Sequence, residues 1–452
     1  MTTRRGFLIG AAATTAAFAG LYYLTRRPPG EIQKLAEGFG AMVPDPDQII
    51  ALPEGFSYTV VSKAGDIMAD GLPTPGRQDG MAAFPHSGDQ VILVLNHEIG
   101  DWDAGREVSP YGPDDGLFPE GFESKVYDAG IPGRRTVGGT STIVYNLKEK
   151  KLVRQFLSLG GTQVNCAGGP TPWDSWLTCE ENFGEPGEAL QERHGYVFEV
   201  PASAEVGLAD PVPLKDMGRF VHEAACVDPK TNYIYLTQDA AEACLYRFKP
   251  SDPANLQAGG RLEALIVDGK PGLKTRNWGL DRDHTPVGQP MRASWFPLDD
   301  VDPDVNDLAE RAIAMGAANF TRGEGIWFGE DEFYFACTDG GADHRGQIWR
   351  YDTAADTLEL FLEPNDAGIL EYIDNITIAP WGDLIFCEDG PMPNFLRGVT
   401  PEGNVYNIAK SDYIRSEFAG ACFSPDGSTL FVNLQDAHMT LAITGPWDSL
   451  KG

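Results

Sequence analysis

The sequence predicts an all-β fold, a six-bladed β-propeller. Three observations predict it. Short β-branched or aromatic runs recur down the chain, bounded by Gly, Pro, Asp and Asn, and they group into six units of roughly 40 residues or more. Each unit repeats one phrase: an acid or thiol, an apolar strand, a tight turn, a second strand, and a further acid. The last unit is one strand short, while a lone strand at 56–63 precedes the first unit, so the two chain ends can pair and remove the free sheet edges.

The strand at 56–63 is rich in Tyr, Thr and Val, which suit a pleated, half-buried surface. The first unit holds 81–89 and 91–98, then a Gly/Pro/Asp-rich insertion over 101–139, then a hairpin of 140–145 and 152–159. The second opens at 165–182 and continues through 195–200 to a weaker strand near 212–217. The third runs from 222–239 through 243–248 to 262–267, and the polar stretch after it carries a helix at 305–315. The fourth comprises 321–339, 346–351 and 358–362, and the fifth 374–389, 396–400 and 404–408. The sixth comprises 417–436 and 439–444, with 56–63 expected to pair with 439–444.

Thr3-Arg4-Arg5-Gly6-Phe7-Leu8 resembles the twin-arginine export motif, and an Ala-rich apolar run follows it to Leu24. The expected organisation is a signal or anchor segment at 1–29, a linker at 30–52 and the propeller at 53–452. The twin-arginine export machinery is the expected partner, and the expected location is periplasmic or secreted. Ala17-Phe18-Ala19 offers a cleavage site; left uncleaved, roughly 18 apolar residues would tether the protein to a membrane.

Sixty-six acidic against 35 basic residues give a formal net charge of -31, which argues against nucleic acid or an anionic membrane as partner. The same excess favours bound cations, since clustered carboxylates repel one another unless a metal or a proton intervenes. Seven cysteines cannot all pair. Cys179, Cys337 and Cys387 end similar apolar strands, and Cys226 and Cys422 share a second context, so these read as small core residues. Cys166 breaks the pattern, standing at a strand start beside Gly168-Gly169.

In a propeller the innermost strands line a central channel, so the residues heading them meet at one rim. The heads here are Cys166, Glu223, Glu324, Asp374 or Asn375, and Glu417; the loops after the second strands add Glu98, Glu180, Glu181, Asp239, Asp339, Glu388 and Asp389. Carboxylates suit calcium, magnesium or manganese, and a thiolate suits iron, zinc or copper, so Cys166 among acids points to a mixed metal site. No Cys-x-x-Cys, His-Glu-x-x-His, Gly-x-Ser-x-Gly or phosphate-loop motif is present. Arg322 stands two residues before Glu324, where an extended segment points both side chains the same way, and a guanidinium there can clamp an oxyanion.

Several phrases together resemble the PhoX-type alkaline phosphatases: Asn165-Cys166-Ala167, Thr178-Cys179-Glu180-Glu181-Asn182, His194-Gly195-Tyr196-Val197-Phe198, His222-Glu223, Arg322-Gly323-Glu324-Gly325 and Phe423-Ser424-Pro425-Asp426-Gly427. Gly323 departs from the family's pattern, where proline is expected. The resemblance implies an exported enzyme that hydrolyses phosphate esters with an iron–calcium cluster, Fe(3+) and Ca(2+), in the propeller channel. It implies iron held by Cys166, Glu223 and Glu324, with one or both of Glu180 and Glu181 joining the cluster, and Arg322 on the phosphate. Asp339 and Glu98 are the further expected metal ligands. The expected substrate is a small phosphate ester and the expected state a monomer. A calcium-dependent propeller lactonase or esterase, or a non-catalytic calcium-binding propeller, is the alternative.

Overall fold

The computed structural model describes residues 35–279 and 284–450. The expected targeting segment at 1–29 lies outside the described residues. No helix among those described is long and apolar enough to cross a membrane.

The architecture is propeller-like and almost entirely β. Six strands, Gln78–Pro85, Asn165–Pro170, His222–Val227, Gly323–Phe328, Ile373–Ile378 and Phe418–Phe423, each begin an antiparallel meander that runs outward. Each of the six touches the next, and the last touches the first, so they surround a common axis. Residues such as Leu93, Val94 and Leu95 are wholly buried although consecutive, because both faces of a sheet pack against neighbouring sheets. Burial on both faces explains why many strands read as continuous apolar runs rather than alternating ones.

The chain ends close the ring as the strand count requires. Ser57–Lys63 pairs antiparallel with Met439–Thr444, Lys63 opposite Met439 and Ser57 opposite Thr444. Just ahead of it, 35–52 is not a free linker: Leu35 and Ala51 bridge to Val405 and Lys410. Phe39 packs edge-on against Phe56, Trp381, Tyr406 and Trp447.

Two sheets depart from expectation. The sheet Asn165–Pro170, Ser175–Glu180, Val197–Pro201 has three strands. The strand expected near 212–217 does not form; Pro211 and Pro213 remove two ladder donors there, and a 3-10 turn, Lys215–Met217, takes its place. The strand Met291–Pro297 has no counterpart in the sequence reading. It pairs with Gly260–Val267 on one side and with Thr357–Leu362 on the other, joining two meanders into one nine-stranded sheet. The helix expected at 305–315 spans Leu308–Ala314.

One detail repeats in all six inner strands. Their pairing with the second strand slips between Gln78 and Met81, Asn165 and Gly168, His222 and Ala225, Gly323 and Ile326, Ile373 and Ile376, and Ala419 and Cys422. A bulge of this kind bends the strand and re-aims a side chain. The backbones crowd so closely here that a Cβ on Gly325 would sit 2.7 Å from the Ile376 nitrogen, and one on Gly80 2.6 Å from the Ala167 Cα. Below the bulges, Trp327 packs against three inter-sheet cores and blocks the axis.

Candidate metal and substrate site

The six bulges open upward into a cavity of about 480 Å³. Two tiers of side chains line it. The first residue of each bulge forms the lower tier: Asp79, Cys166, Glu223, Glu324 and Asp374. The sixth position is Gly420, at φ +60°, and Glu417 fills that sector from just ahead of it. The residue after the end of each second strand forms the other tier: Glu98, Glu181, Asp239, Thr338, Asp389 and Gln435. Above them, two residues before Asp79, Glu324 and Asp374, stand Arg77, Arg322 and Tyr372, each in the left-handed region with φ +45°, +42° and +49°.

Polar side chains of the second strands hold the bulges in place. Asn96 donates through Nδ2 to the carbonyls of Cys166 (3.1 Å) and Ala167 (2.7 Å) and accepts from Trp176 and Thr178, so all its local capacity is committed. Asn433 does the same for the Asp79 carbonyl, at 2.5 Å, and Thr237 Oγ1 donates to the Glu324 carbonyl at 2.7 Å. These anchors are buried, which fixes the direction of the ligand-type side chains.

The charge balance is lopsided. Nine carboxylates (Asp79, Glu98, Glu181, Glu223, Asp239, Glu324, Asp374, Asp389 and Glu417) face two guanidinium groups, Arg77 and Arg322. Burial, then the Glu98 and Asp239 charges, push the Glu181 carboxyl up to about 9. Burial and the Asp389 charge raise Asp374 to about 8. Burial and neighbouring acids also push Asp79, Glu223, Glu324 and Glu417 well above the ordinary carboxylate range. Burial and Glu223 raise the Cys166 thiol, whose Sγ lies 3.3 Å from the Glu223 carbonyl and 3.4 Å from that of His222. A bound cation would relieve this mutual repulsion and let the carboxylates carry their charge.

The donor set fits metal. Ligand atoms of Cys166, Glu181 and Glu223 lie within 4.8 Å of one another, and so do those of Glu223, Glu324 and Asp374, with Glu223 common to both groups. Asp79 Oδ1 and Gln435 Oε1 are buried with no hydrogen-bond partner, as oxygens awaiting a cation would be. Arg322 is held bidentately by Asp239 (2.8 and 2.7 Å) and by Glu324 (3.2 Å). Its side chain is 46% exposed, which leaves the guanidinium open to the cavity mouth.

Of the residues singled out in the sequence, the structure brings Glu98, Cys166, Glu181, Glu223, Asp239, Arg322, Glu324, Asp374, Asp389 and Glu417 together in this cavity. It does not bring Glu180 or Asp339 there. Glu180 turns back into its sheet, where it accepts from His194 Nδ1 (2.6 Å) and from the backbone N–H groups of Gln163, Gly195 and Tyr196. Asp339 lies one residue beyond the cavity-facing Thr338 and accepts from Thr321 Oγ1 at 2.7 Å. The cause is register: Cys337 pairs with Gly323 as Glu180 pairs with Asn165, so Cys337 is not the equivalent of Cys179. Arg77, Asp79 and Gln435 were not anticipated. Gln78-Asp79-Gly80 repeats the acid-then-small phrase of Glu324-Gly325, but the apolar run that marks its strand starts only at Met81.

A family model described as alkaline phosphatase PhoX matches residues 37–117 and 132–438. The chain belongs to the PhoX alkaline phosphatase family. Phosphomonoester hydrolysis is that family's activity. Among solved structures, Pseudomonas fluorescens PhoX in complex with vanadate, a transition state analogue, shares 19% identity at a TM-score of 0.64, covering 93% of this chain and 98% of that one. At that identity the likeness shows the fold. A gluconolactonase from Xanthomonas campestris aligns at 10% identity and a TM-score of 0.42, covering 93% and 99% of the two chains. No protein with a curated description matches.

Proposed function

We propose that this PhoX-family chain is an exported, metal-dependent phosphomonoesterase, a six-bladed propeller that works as a monomer in the periplasm or outside the cell. The nine-stranded sheet counts as two blades bridged by Met291–Pro297. Iron would be held by Cys166, Glu223 and Glu324 with Glu181 joining them, and calcium by the all-oxygen remainder, chiefly Asp374, Asp79 and Glu98. Bound there, such cations would supply the positive charge that offsets the ester's and the Lewis acidity that makes a water more acidic.

The chain's own residues supply position. Arg322, with Nε and Nη2 committed to Asp239 and Glu324, leaves Nη1 and its two N–H donors to meet a phosphoryl oxygen. Its left-handed backbone is held by hydrogen bonds on both sides, from its own N–H to the Ala240 carbonyl and from the Thr338 N–H to its carbonyl. The buried floor below Glu223 keeps bulk water to one side. The vanadate complex of the Pseudomonas relative supports the same substrate class.

The observation that carries this reading is the thiol of Cys166 grouped with Glu181 and Glu223 beneath Arg322. A calcium-only lactonase has no use for either residue. The test is elemental analysis of protein exported by a twin-arginine-competent host, with turnover of a phosphate monoester measured before and after chelation. Iron and calcium in the protein, with activity lost to chelator and restored by calcium, support the reading. Full activity in excess chelator, with calcium shown to be absent, sinks it.

A further inference from the structure

The phosphoryl group is the same in every monoester, so the charged tiers of the cavity cannot tell one alcohol from another. Among the described lining residues the aromatic and apolar surface comes down to Tyr372 and Pro391. Tyr372 occupies the position in its blade that Arg322 occupies in the adjacent one: two residues before the bulge, with a left-handed φ of +49°. That conformation is costly for a bulky residue. Two hydrogen bonds impose it, from the Tyr372 N–H to the Arg345 carbonyl and from the Asp389 N–H to the Tyr372 carbonyl, each 2.9 Å. The ring stands beside the Gly390 backbone, where a Cβ would meet Tyr372 Cδ2 at an ordinary contact distance of 3.5 Å. Asn394 Oδ1 accepts from the Gly390 N–H at 2.8 Å and holds this lip in place. Resting on the phosphomonoesterase reading, we propose that Tyr372 and Pro391 form the subsite for the leaving alcohol and favour esters whose alcohol carries a planar ring.

The arrangement follows from adjacency. With a phosphoryl group on Arg322, the neighbouring sector of the same cavity is the one that presents the half-buried tyrosine ring as a flat apolar face. Stacking there adds binding for an aromatic alcohol and nothing for a short alkyl one.

The test compares benzyl phosphate with ethyl phosphate, whose leaving alcohols are both primary, for the metal-replete wild type, Tyr372→Phe and Tyr372→Asn. Asparagine tolerates the left-handed backbone, so the ring is removed without unseating the loop. Metal content is measured for each variant. The ratio of kcat/KM for benzyl over ethyl phosphate should fall about fivefold in Tyr372→Asn, through KM, and persist in Tyr372→Phe. Inhibition by inorganic phosphate, which lacks the alcohol, should change in neither. An equal loss on both esters in Tyr372→Asn, or an unchanged ratio, overturns the subsite while leaving the phosphatase intact. A wild type that turns over neither ester overturns the phosphatase reading, and the subsite falls with it.

Discussion

Two acid-rich regions lie on either side of the peptide bond between Glu180 and Glu181. Behind it, Glu180 and Asp128 share His194, with Nδ1 2.6 Å from Glu180 and Nε2 3.2 Å from Asp128, and backbone N–H groups fill the remaining lone pairs. In front of it, Glu181 joins eight other carboxylates that have two arginines among them. The first region carries its own cation and is closed. The second is built short of positive charge and open at the top. Glu388 and Asp389 repeat the contrast: Glu388 is held by Arg397 at 2.7 Å, while Asp389 faces the cavity. Acid density alone therefore does not mark a metal site; a missing internal counter-charge does.

The largest expected effect breaks the closed region. His194→Ala leaves two buried carboxylates unpaired and should destabilise the fold by about 3–5 kcal/mol, read from urea denaturation. A loss below about 1 kcal/mol would mean that the backbone N–H groups alone suffice. In the open region, Glu223→Gln removes the carboxylate shared by both ligand groups and should cut metal content and lower kcat/KM by at least about a hundredfold. Stability measured without metal should stay level or rise, because a neutral amide has no ionised form whose burial among the other acids is opposed. That opposite sign is the sharpest statement of the comparison.

A pH titration probes the closed region when wild type is compared with His194→Ala, since the cavity acids Glu181 and Asp374 titrate in both proteins. Burial opposes the charge on His194, yet Glu180 and Asp128 raise it from 6.5 to about 9. Its stabilisation is therefore complete below pH 6.5 and is lost as pH rises through 9. A stability difference between the two metal-free proteins that is flat from pH 7 to 10 would break this assignment. The smallest contrast is between two thiols. Cys166→Ser should lose iron and its visible colour while the fold persists, since a hydroxyl is a poor ligand for the softer metal. Cys179 is wholly buried beside Leu177 and Val197, so Cys179→Ser should cost only about 1 kcal/mol and leave the metal content unchanged. Iron retained by Cys166→Ser would remove the thiolate from the site.

Periodicity and repetition in the sequence were enough to specify the β architecture, the closing pair of 56–63 with 439–444, and the inner-strand heads Cys166, Glu223 and Glu324. These are local signals, written in the residues that adopt them. The bulges were not legible, because a slip in register belongs to two strands and leaves no mark on the period of either. That slip is why the apolar run marks Met81 and not Asp79, and why the expected ligand Asp339 stands one residue beyond the cavity-facing Thr338. Whether Glu180 or Glu181 faces the cavity turned on the last residue of a strand, where one peptide unit reverses the direction of the side chain. The partners that decide it, His194 and Asp128, come from other parts of the chain. Only the tertiary structure assembles them, because a counter-charge acts through space and the sequence records only order.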